Sequence, residues 1–477
     1  MRKTKIICTI GPSSENEKIL GELIDAGMDI ARFNFSHGTH EEHRRKYNLL
    51  RKIAEKKKKI VGLLQDLQGS KIRIGKFAED RIVELKKGNK FVLTTDNVVG
   101  DEERASVDYK KLPEIVCKND RIFLDDGKIE LKVESIDENN IYCQVIIGGE
   151  LSSRRGLNLA EKRIDLPGIT QSDIRDIQFG IKLGVDYIAQ SFVRKAEHIF
   201  QIKRLLERHN AGHIRVIAKI EDREGVDNID SIIQASDGIM IARGDMGVCL
   251  DRAEVPLIQK KIIDKCNNAG KPVIVATQML DSMINSPHPT RAEVTDVANA
   301  VLQGSDCLML SGETAIGQYP VETVKEMKKI IQVTEEAIDY DELLKAKGLL
   351  PREGDLNQGV SFAIRELAQK INAKAIIALT LTGNTARLIS HFRPKAMIYA
   401  FTPDKNVGNN LLLLSGIKVF LTKVIKNVEL KYERFVNELV SEKYLSKGDL
   451  VVISSGIKRT DGLKRMPLSS VTRIVEV

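Results

Sequence analysis

Eight short runs rich in Ile, Val, Leu and Ala constrain this chain more than any other feature. They occupy residues 5–10, 29–35, 60–67, 185–192, 215–221, 238–245, 272–278 and 307–313. Each ends in a polar or small residue, and a helical pattern usually follows. Most are apolar without alternation, as strands covered on both faces must be. Strands that alternate with helices build parallel sheets, and eight such units predict a (β/α)₈ TIM barrel.

The rhythm breaks between residues 67 and 185. There, runs at 82–85, 90–95, 121–124, 130–133 and 141–147 alternate apolar with polar residues, between turns such as Asp125-Asp126-Gly127. This predicts an all-β insertion leaving the C-terminal end of the third barrel strand, where it would cover the barrel mouth as a lid. After residue 345 helices (358–371, 385–391, 428–444) alternate with strands (375–381, 396–401, 450–454), which predicts a C-terminal α/β domain. The expected division is 1–69 with 168–344 for the barrel, 70–167 for a β-barrel lid and 345–477 for the C-terminal domain. A chain of 477 residues needs several cores, so this division is physically reasonable.

Composition narrows the function classes. The chain is 42% hydrophobic and 29% charged, values typical of soluble globular proteins. No run is long enough to span a membrane, the start lacks a signal-peptide pattern, and a cytoplasmic location is expected. The six cysteines form no C-x-x-C pair, which argues against a zinc site or a disulfide framework. The net charge of +8 is small for this length and suits a polyanionic small substrate. The basic run 56–59 has no interleaved aromatics, so nucleic acid is not expected as a partner.

Chemistry in a TIM barrel sits at the C-terminal strand ends. Six of these ends are polar or charged: Arg32, Asn34, Ser36 and His37 on the second strand, Asp66 on the third, Lys219 and Glu221 on the fifth, Arg243 and Asp245 on the sixth, Thr277 and Gln278 on the seventh, and Ser311 and Glu313 on the eighth. Residues two apart on a strand share a face, so Lys219 points with Glu221, Arg32 with Asn34 and Ser36, Arg243 with Asp245 and Ser311 with Glu313. Glu221 and Asp245 on adjacent strands suit a hard divalent cation such as Mg²⁺, and Lys219 and Arg32 add fixed positive charge. Any one of these residues reads equally well as part of a structural ion pair; six polar strand ends together do not.

Other features are weaker. The segment 69–77 has the wrong spacing for a phosphate-binding Walker loop. Thr290 and Glu293 form a capping box with a structural role. Thr380, Thr382, Gly383, Asn384 and Thr385 join a strand to a helix, a fair anion site and also an ordinary turn. His37, His288 and His391 are isolated and are not expected as metal ligands.

Seven segments carry a resemblance: 9–13 (Thr-Ile-Gly-Pro-Ser), 31–38 (Ala-Arg-Phe-Asn-Phe-Ser-His-Gly), 219–221 (Lys-Ile-Glu), 242–247 (Ala-Arg-Gly-Asp-Met-Gly), 276–280 (Ala-Thr-Gln-Met-Leu), 289–299 (Pro-Thr-Arg-Ala-Glu-Val-Thr-Asp-Val-Ala-Asn) and 311–315 (Ser-Gly-Glu-Thr-Ala). Together they resemble the signature segments of pyruvate kinases, over essentially the whole chain and more loosely in the C-terminal domain. The resemblance implies Mg²⁺-dependent phosphoryl transfer from phosphoenolpyruvate to ADP, giving pyruvate and ATP, with Mn²⁺ as an alternative metal. It implies that Glu221 and Asp245 hold the metal, that Lys219 and Arg32 bear on the phosphoryl group, and that Gly244, Asp245 and Thr277 hold the substrate carboxylate. Asn34, His37, Arg73 and Arg155 resemble the nucleotide contacts, and Thr277, Ser311 and Glu313 are the candidates for protonating the enolate.

The chain also departs from the common pattern. Leu67, Ser70 and Lys71 stand where many members carry Thr, Pro and Glu. Asn34, Ser36, Asp66 and the backbone of Leu67 match the ligands of a monovalent cation, K⁺, in the common form. An ammonium at Lys71 in its place predicts weak or no K⁺ dependence; Lys71 pointing to solvent would leave the K⁺ site intact. The segment 462–470 departs from the usual Gly/Thr-rich ending, and the residues around Thr380 leave a phosphorylated effector open. The family is usually a homotetramer. Two alternatives stand beside the kinase reading: a lyase on a similar barrel, which would not need ADP, and a catalytically silent metabolite sensor.

Overall fold

The computed structural model describes residues 1–159, 162, 164, 166–423, 432–455 and 471–477. Eight parallel strands close a barrel: β1 (Lys5–Thr9), β2 (Ile30–Asn34), β3 (Gly62–Asp66), β4 (Tyr187–Gln190), β5 (Arg215–Ile220), β6 (Gly238–Ala242), β7 (Val273–Ala276) and β8 (Cys307–Leu310). Their order round the barrel is β1, β8, β7, β6, β5, β4, β3, β2. All eight expected strands are present, each ending one to three residues before its sequence-derived limit, where the chain turns into a loop or helix.

Alternation along each strand divides the core. Ile6 and Cys8 of β1 face the helix layer, with Leu20, Leu23 and Ile24. Ile7 faces inward, where Ile30, Leu64, Ile217, Met240, Ile274 and Met309 fill the barrel axis with large apolar side chains. The barrel floor is closed by the C-terminal domain: the Cys307 thiol lies 3.2 Å from the Leu413 carbonyl, and the Tyr187 hydroxyl donates to the Asn409 carbonyl. The filled axis and plugged floor leave the opposite, C-terminal end of the strands as the open face.

The insertion is built on β-strands, with one short helix, Leu112–Ile115, and a 3₁₀ turn, Ala78–Asp80, among its described residues. A seven-stranded sheet runs in the order Ile72–Arg73, Gly156–Leu159, Arg121–Leu124, Ile129–Ile136, Asn140–Ile147, Lys90–Thr94, Arg104–Ser106, and a ribbon pairs Gly149–Leu151 with Val83–Leu85. The sheet curls until its first and last strands approach: Ile74 bridges Val107, and the Gly75 amide donates to the Ser106 carbonyl at 2.8 Å. The sequence pattern omits Ile72–Arg73, Arg104–Ser106, Gly149–Leu151 and Gly156–Leu159, short segments of two to four residues.

The C-terminal sheet has the order Ile417–Leu421, Met397–Thr402, Ala375–Leu379, Leu450–Ser455, Val471–Glu476, the last strand antiparallel. Its three central strands match the expected runs. The flanking strands Ile417–Leu421 and Val471–Glu476 lie outside the expected runs. The helix expected at 428–444 spans Tyr432–Ser441, with 428–431 outside the described residues. The departure at 462–470 also lies outside them.

Candidate active site

Buried charge gathers at the open end of the barrel. Lys219, at the end of β5, is a tenth exposed and lies 3.1 Å from both Asp66 Oδ1 and Glu221 Oε1, and it donates to Ser191 Oγ at 2.6 Å. Ser191 in turn donates to the Leu67 carbonyl at 2.8 Å. Arg32 Nε lies 2.7 Å from Asp66 Oδ2, while its Nη1 donates to Thr9 Oγ1 at 2.8 Å. Asp66 is therefore the common counter-ion of the two cations. Burial alone would raise its pKa, but Lys219 and Arg32 outweigh burial and hold it below the usual carboxylate range. For Lys219, burial acts downward, and Asp66 and Glu221 raise the pKa past the usual lysine value.

Glu221 sits in the opposite balance. Burial pushes its pKa up, the neighbouring Asp245 charge adds to that, and Lys219 opposes it. The Phe192 amide donates to Glu221 Oε2 at 2.5 Å. Glu221 and Asp245 are electrostatically interacting neighbours, and an ammonium group leans on each, Lys219 on Glu221 and Lys71 Nζ on Asp245 at 3.5 Å. Two carboxylates offering hard oxygen donors fit a Mg²⁺ ion that completes its shell with substrate and water. Among the described residues no group of three or more His, Cys, Asp or Glu could hold a metal.

Three period-two inferences need correction. Ser36 does not continue the face of Arg32 and Asn34, because β2 ends at Asn34 and the chain turns there. Arg243 and Asp245 do not share a strand face, because β6 ends at Ala242 and Arg243–Cys249 is a short helix. Asp245 lies in its first turn, where a carboxylate is favoured. Arg243 points away from it, pairing with Asp296 at 2.6 Å and donating to the Thr277 carbonyl at 2.8 Å. Likewise β8 ends at Leu310, and Glu313 lies in the helical turn Gly312–Ala315. Its carboxylate accepts from the Ser311 amide at 2.7 Å and the Leu280 amide at 3.2 Å. A chain that turns helical at the strand's last residue changes the side-chain period from 2.0 to 3.6.

Thr277 has φ 71° and Gln278 φ 53°, left-handed values rarely adopted by such residues. This turn places Thr277 Oγ1 2.7 Å from the Gly244 amide, from which it accepts. Such strain persists where surrounding structure over-determines it, typically at ligand sites. The Ser311 hydroxyl is buried and has no hydrogen-bond partner among the described residues.

The remaining expected residues are dispersed round this centre. Asn34 Oδ1 accepts from the Ser36 amide at 3.1 Å, and Ser36 and His37 are exposed. On the lid, Arg73 donates to the Arg154 carbonyl at 3.0 Å, and Arg155 pairs with Asp125 at 3.2 Å. Lys71 lies between Asp126 Oδ1, at 2.7 Å, and Asp245, so its ammonium stands on the Glu221–Asp245 side of the site rather than against Asp66. Burial would lower its pKa, but Asp245 and Asp126 raise it. In the C-terminal domain, Thr380 Oγ1 accepts from the Gly383 amide at 2.9 Å, and the helix Asn384–His391 starts there.

Thr9, Ser191 and Phe192 escaped the sequence reading. Ser191 and Phe192 end the fourth run, and a serine before a phenylalanine carries no distinctive chemical signal. Thr9 closes β1, the first expected strand, and begins a segment quoted for the resemblance, without a role of its own.

Residues 1–324 match the family description "Pyruvate kinase, barrel domain", and residues 358–464 match "Pyruvate kinase, alpha/beta domain". The chain belongs to the pyruvate kinase family. Pyruvate kinases from Sporosarcina psychrophila and Staphylococcus aureus strain MRSA252 are 44% and 45% identical over 459 residues, 96% of this chain and 78% of each relative. A crystal structure of a pyruvate kinase from Cryptosporidium parvum superposes with TM-score 0.92 at 38% identity, covering 100% of this chain and 96% of that one. Membership makes the chain a phosphotransferase of glycolysis. Pyruvate kinases generally use Mg²⁺ and often K⁺, and take phosphoenolpyruvate and ADP as substrates. No helix among the described residues is long and apolar enough to cross a membrane.

Proposed function

We propose that this pyruvate kinase works through the charged cluster of Arg32, Asp66, Lys219, Glu221 and Asp245, and that Lys71 serves as its internal monovalent cation. The observation that carries the proposal is the buried Lys219 ammonium, shared between Asp66 and Glu221 at 3.1 Å each. Phosphoryl transfer needs positioned positive charge more than covalent chemistry from the protein.

In the reaction the bond from the enol oxygen of phosphoenolpyruvate to phosphorus breaks, and a terminal oxygen of ADP bonds to that phosphorus. Arg32 and Lys219 neutralise the phosphoryl oxygens in transit. Glu221 and Asp245 would hold Mg²⁺, or Mn²⁺ in its place, which when bound supplies Lewis-acid neutralisation of the substrate oxygens. The Gly244 and Asp245 amides and Thr277 hold the substrate carboxylate. The enolate left behind takes a proton at carbon. Thr277 and the Ser311 hydroxyl, which has no hydrogen-bond partner among the described residues, would relay it, while Glu313 accepts from the Ser311 and Leu280 amides. Asn34, His37, Arg73 and Arg155 form the nucleotide side, the last two carried by the lid.

Asn34, Ser36, Asp66 and the Leu67 carbonyl would form the K⁺ site of the common pattern. Here the Leu67 carbonyl accepts from Ser191, Asp66 is taken by two cations, and Lys71 already brings an ammonium beside Asp245. These engaged oxygens support the reading of weak or absent K⁺ dependence, with the Lys71 ammonium standing beside Asp245 rather than among the four ligands. The domain division 1–69 with 168–344, 70–167 and 345–477, a cytoplasmic homotetramer and a phosphorylated effector belong to the same proposal. The effector reading is supported by a cleft of about 300 Å³ lined by Thr382, Gly383, Asn384, Arg387, Lys271 and Arg215.

The test is pyruvate release from phosphoenolpyruvate, ADP and Mg²⁺ in buffer free of K⁺ and NH₄⁺, followed by KCl. Release before KCl with little further rise supports both parts. Release only after KCl keeps the kinase and removes Lys71 from its role. No ADP-dependent release in either buffer, with effectors present, removes the mechanism.

A further inference from the structure

Lys71 belongs to the hinge between the barrel and the lid, immediately before the lid strand Ile72–Arg73. Its stem crosses the lid strand Gly156–Leu159 at Gly156. A Cβ at that position would lie 2.4 Å from Lys71 Cε and 3.0 Å from Nζ, so any larger residue there would displace the side chain. The stem is thereby confined to a slot, 11% exposed, and the ammonium passes 5.6 Å from the centre of the Phe192 ring.

The tip of the slot is a lid turn. Asp125, Asp126 and Gly127 have φ of 47°, 53° and 85°, an unfavourable run for two aspartates. Asp125 anchors the turn through Lys128 at 2.9 Å and Arg155 at 3.2 Å, and its amide donates to the Gly156 carbonyl at 3.2 Å. Gly127 sits so close to Val248 that a Cβ would come within 3.1 Å of it. Val248 lies on the helix Arg243–Cys249, which also carries Asp245. The turn that presents Asp126 to Lys71 is thus seated on the barrel helix that presents Asp245.

We propose that Asp126 is a positioning residue: from the lid it holds the Lys71 ammonium beside Asp245, so that lid closure and delivery of the internal cation are one event. The idea rests on reading Lys71 as the internal cation. An ammonium this buried is unfavourable without a partner. When Asp245 turns toward a divalent cation, Asp126 is the carboxylate left to it, and Asp126 reaches it only while the turn is docked on Val248. Lid opening withdraws the anchor, and Lys71 with it.

Hydrogen–deuterium exchange of segments 68–76 and 120–130 in metal-free protein tests the latch apart from catalysis, and ADP titrations with and without KCl test its consequence. Asp126→Asn should speed exchange in both segments, raise KM for ADP about fivefold, the usual scale for losing a partly exposed ion pair, with little change in kcat, and make KCl stimulatory. Asp126→Glu should restore both readouts. Gly156→Ala, which displaces Lys71 from the other side, should also become KCl-stimulated. Wild-type exchange and wild-type KM in Asp126→Asn would overturn the proposal. KCl stimulation of the wild type would overturn the Lys71 reading instead, and the exchange comparison alone would then decide the latch, faster exchange in Asp126→Asn supporting it and equal exchange overturning it.

Discussion

Lys219 Nζ lies 3.1 Å from Asp66 Oδ1, and Asp66 is wholly buried while Lys219 is a tenth exposed. Because Asp66 also carries Arg32 at 2.7 Å, one carboxylate sets the position of both cations proposed to meet the phosphoryl group. Removing the carboxylate and removing a cation should therefore differ in effect.

Lys219→Met should lower kcat by about 10²–10³, the scale for losing one fixed transition-state donor, with a smaller change in KM for phosphoenolpyruvate. The protein should stay folded, since Asp66 keeps Arg32. Steady-state kinetics decide it; an unchanged kcat would remove Lys219 from the chemistry.

Asp66→Asn should lower stability as well as activity, by about 3–5 kcal/mol, because two buried cations lose their shared partner. Urea unfolding measured alongside Lys219→Met separates the two cases. Equal stability in both variants would mean that Asp66 is not the keystone described here.

Glu221→Gln and Asp245→Asn should each weaken Mn²⁺ binding at least about tenfold, and chelation of divalent ions should abolish turnover. Titration calorimetry with Mn²⁺ reads the first effect without any reaction. Wild-type affinity in both variants would place the metal elsewhere.

The folded protein should lose stability in mild acid through His391. Burial first, then Arg393, Arg387 and Arg352, lower its pKa from the ordinary 6.5 to about 4. The unfolded chain takes up the proton near pH 6.5 and the folded chain only near 4. This contribution is therefore present above pH 6.5 and is lost as pH falls toward 4, by about 2 kcal/mol at pH 5. Urea unfolding at pH 7.5 and pH 5 should show a smaller difference in His391→Asn than in the wild type. An identical difference would show that His391 does not carry it.

Much of the architecture was legible because burial on both faces leaves a direct trace: eight apolar runs, each capped by polar residues. Lys219 and Glu221 were legible as a pair, since β5 stays extended to Ile220 and the period of two nearly reaches Glu221. The same rule failed at Asp245 and Glu313, where β6 and β8 turn helical at their ends. Nothing in a local pattern announces that change.

The sequence alone determined the barrel, the inserted β-domain, the C-terminal α/β domain and the identities of the charged residues at the barrel mouth, because periodicity and residue chemistry are local properties. The tertiary structure alone decided which charges neutralise which. Asp66 serving both Arg32 and Lys219, Glu313 tied to backbone amides, and Lys71 suspended between Asp126 and Asp245 all join residues remote in the chain. Coulomb energy depends on distance and burial, and neither is written in the order of the residues.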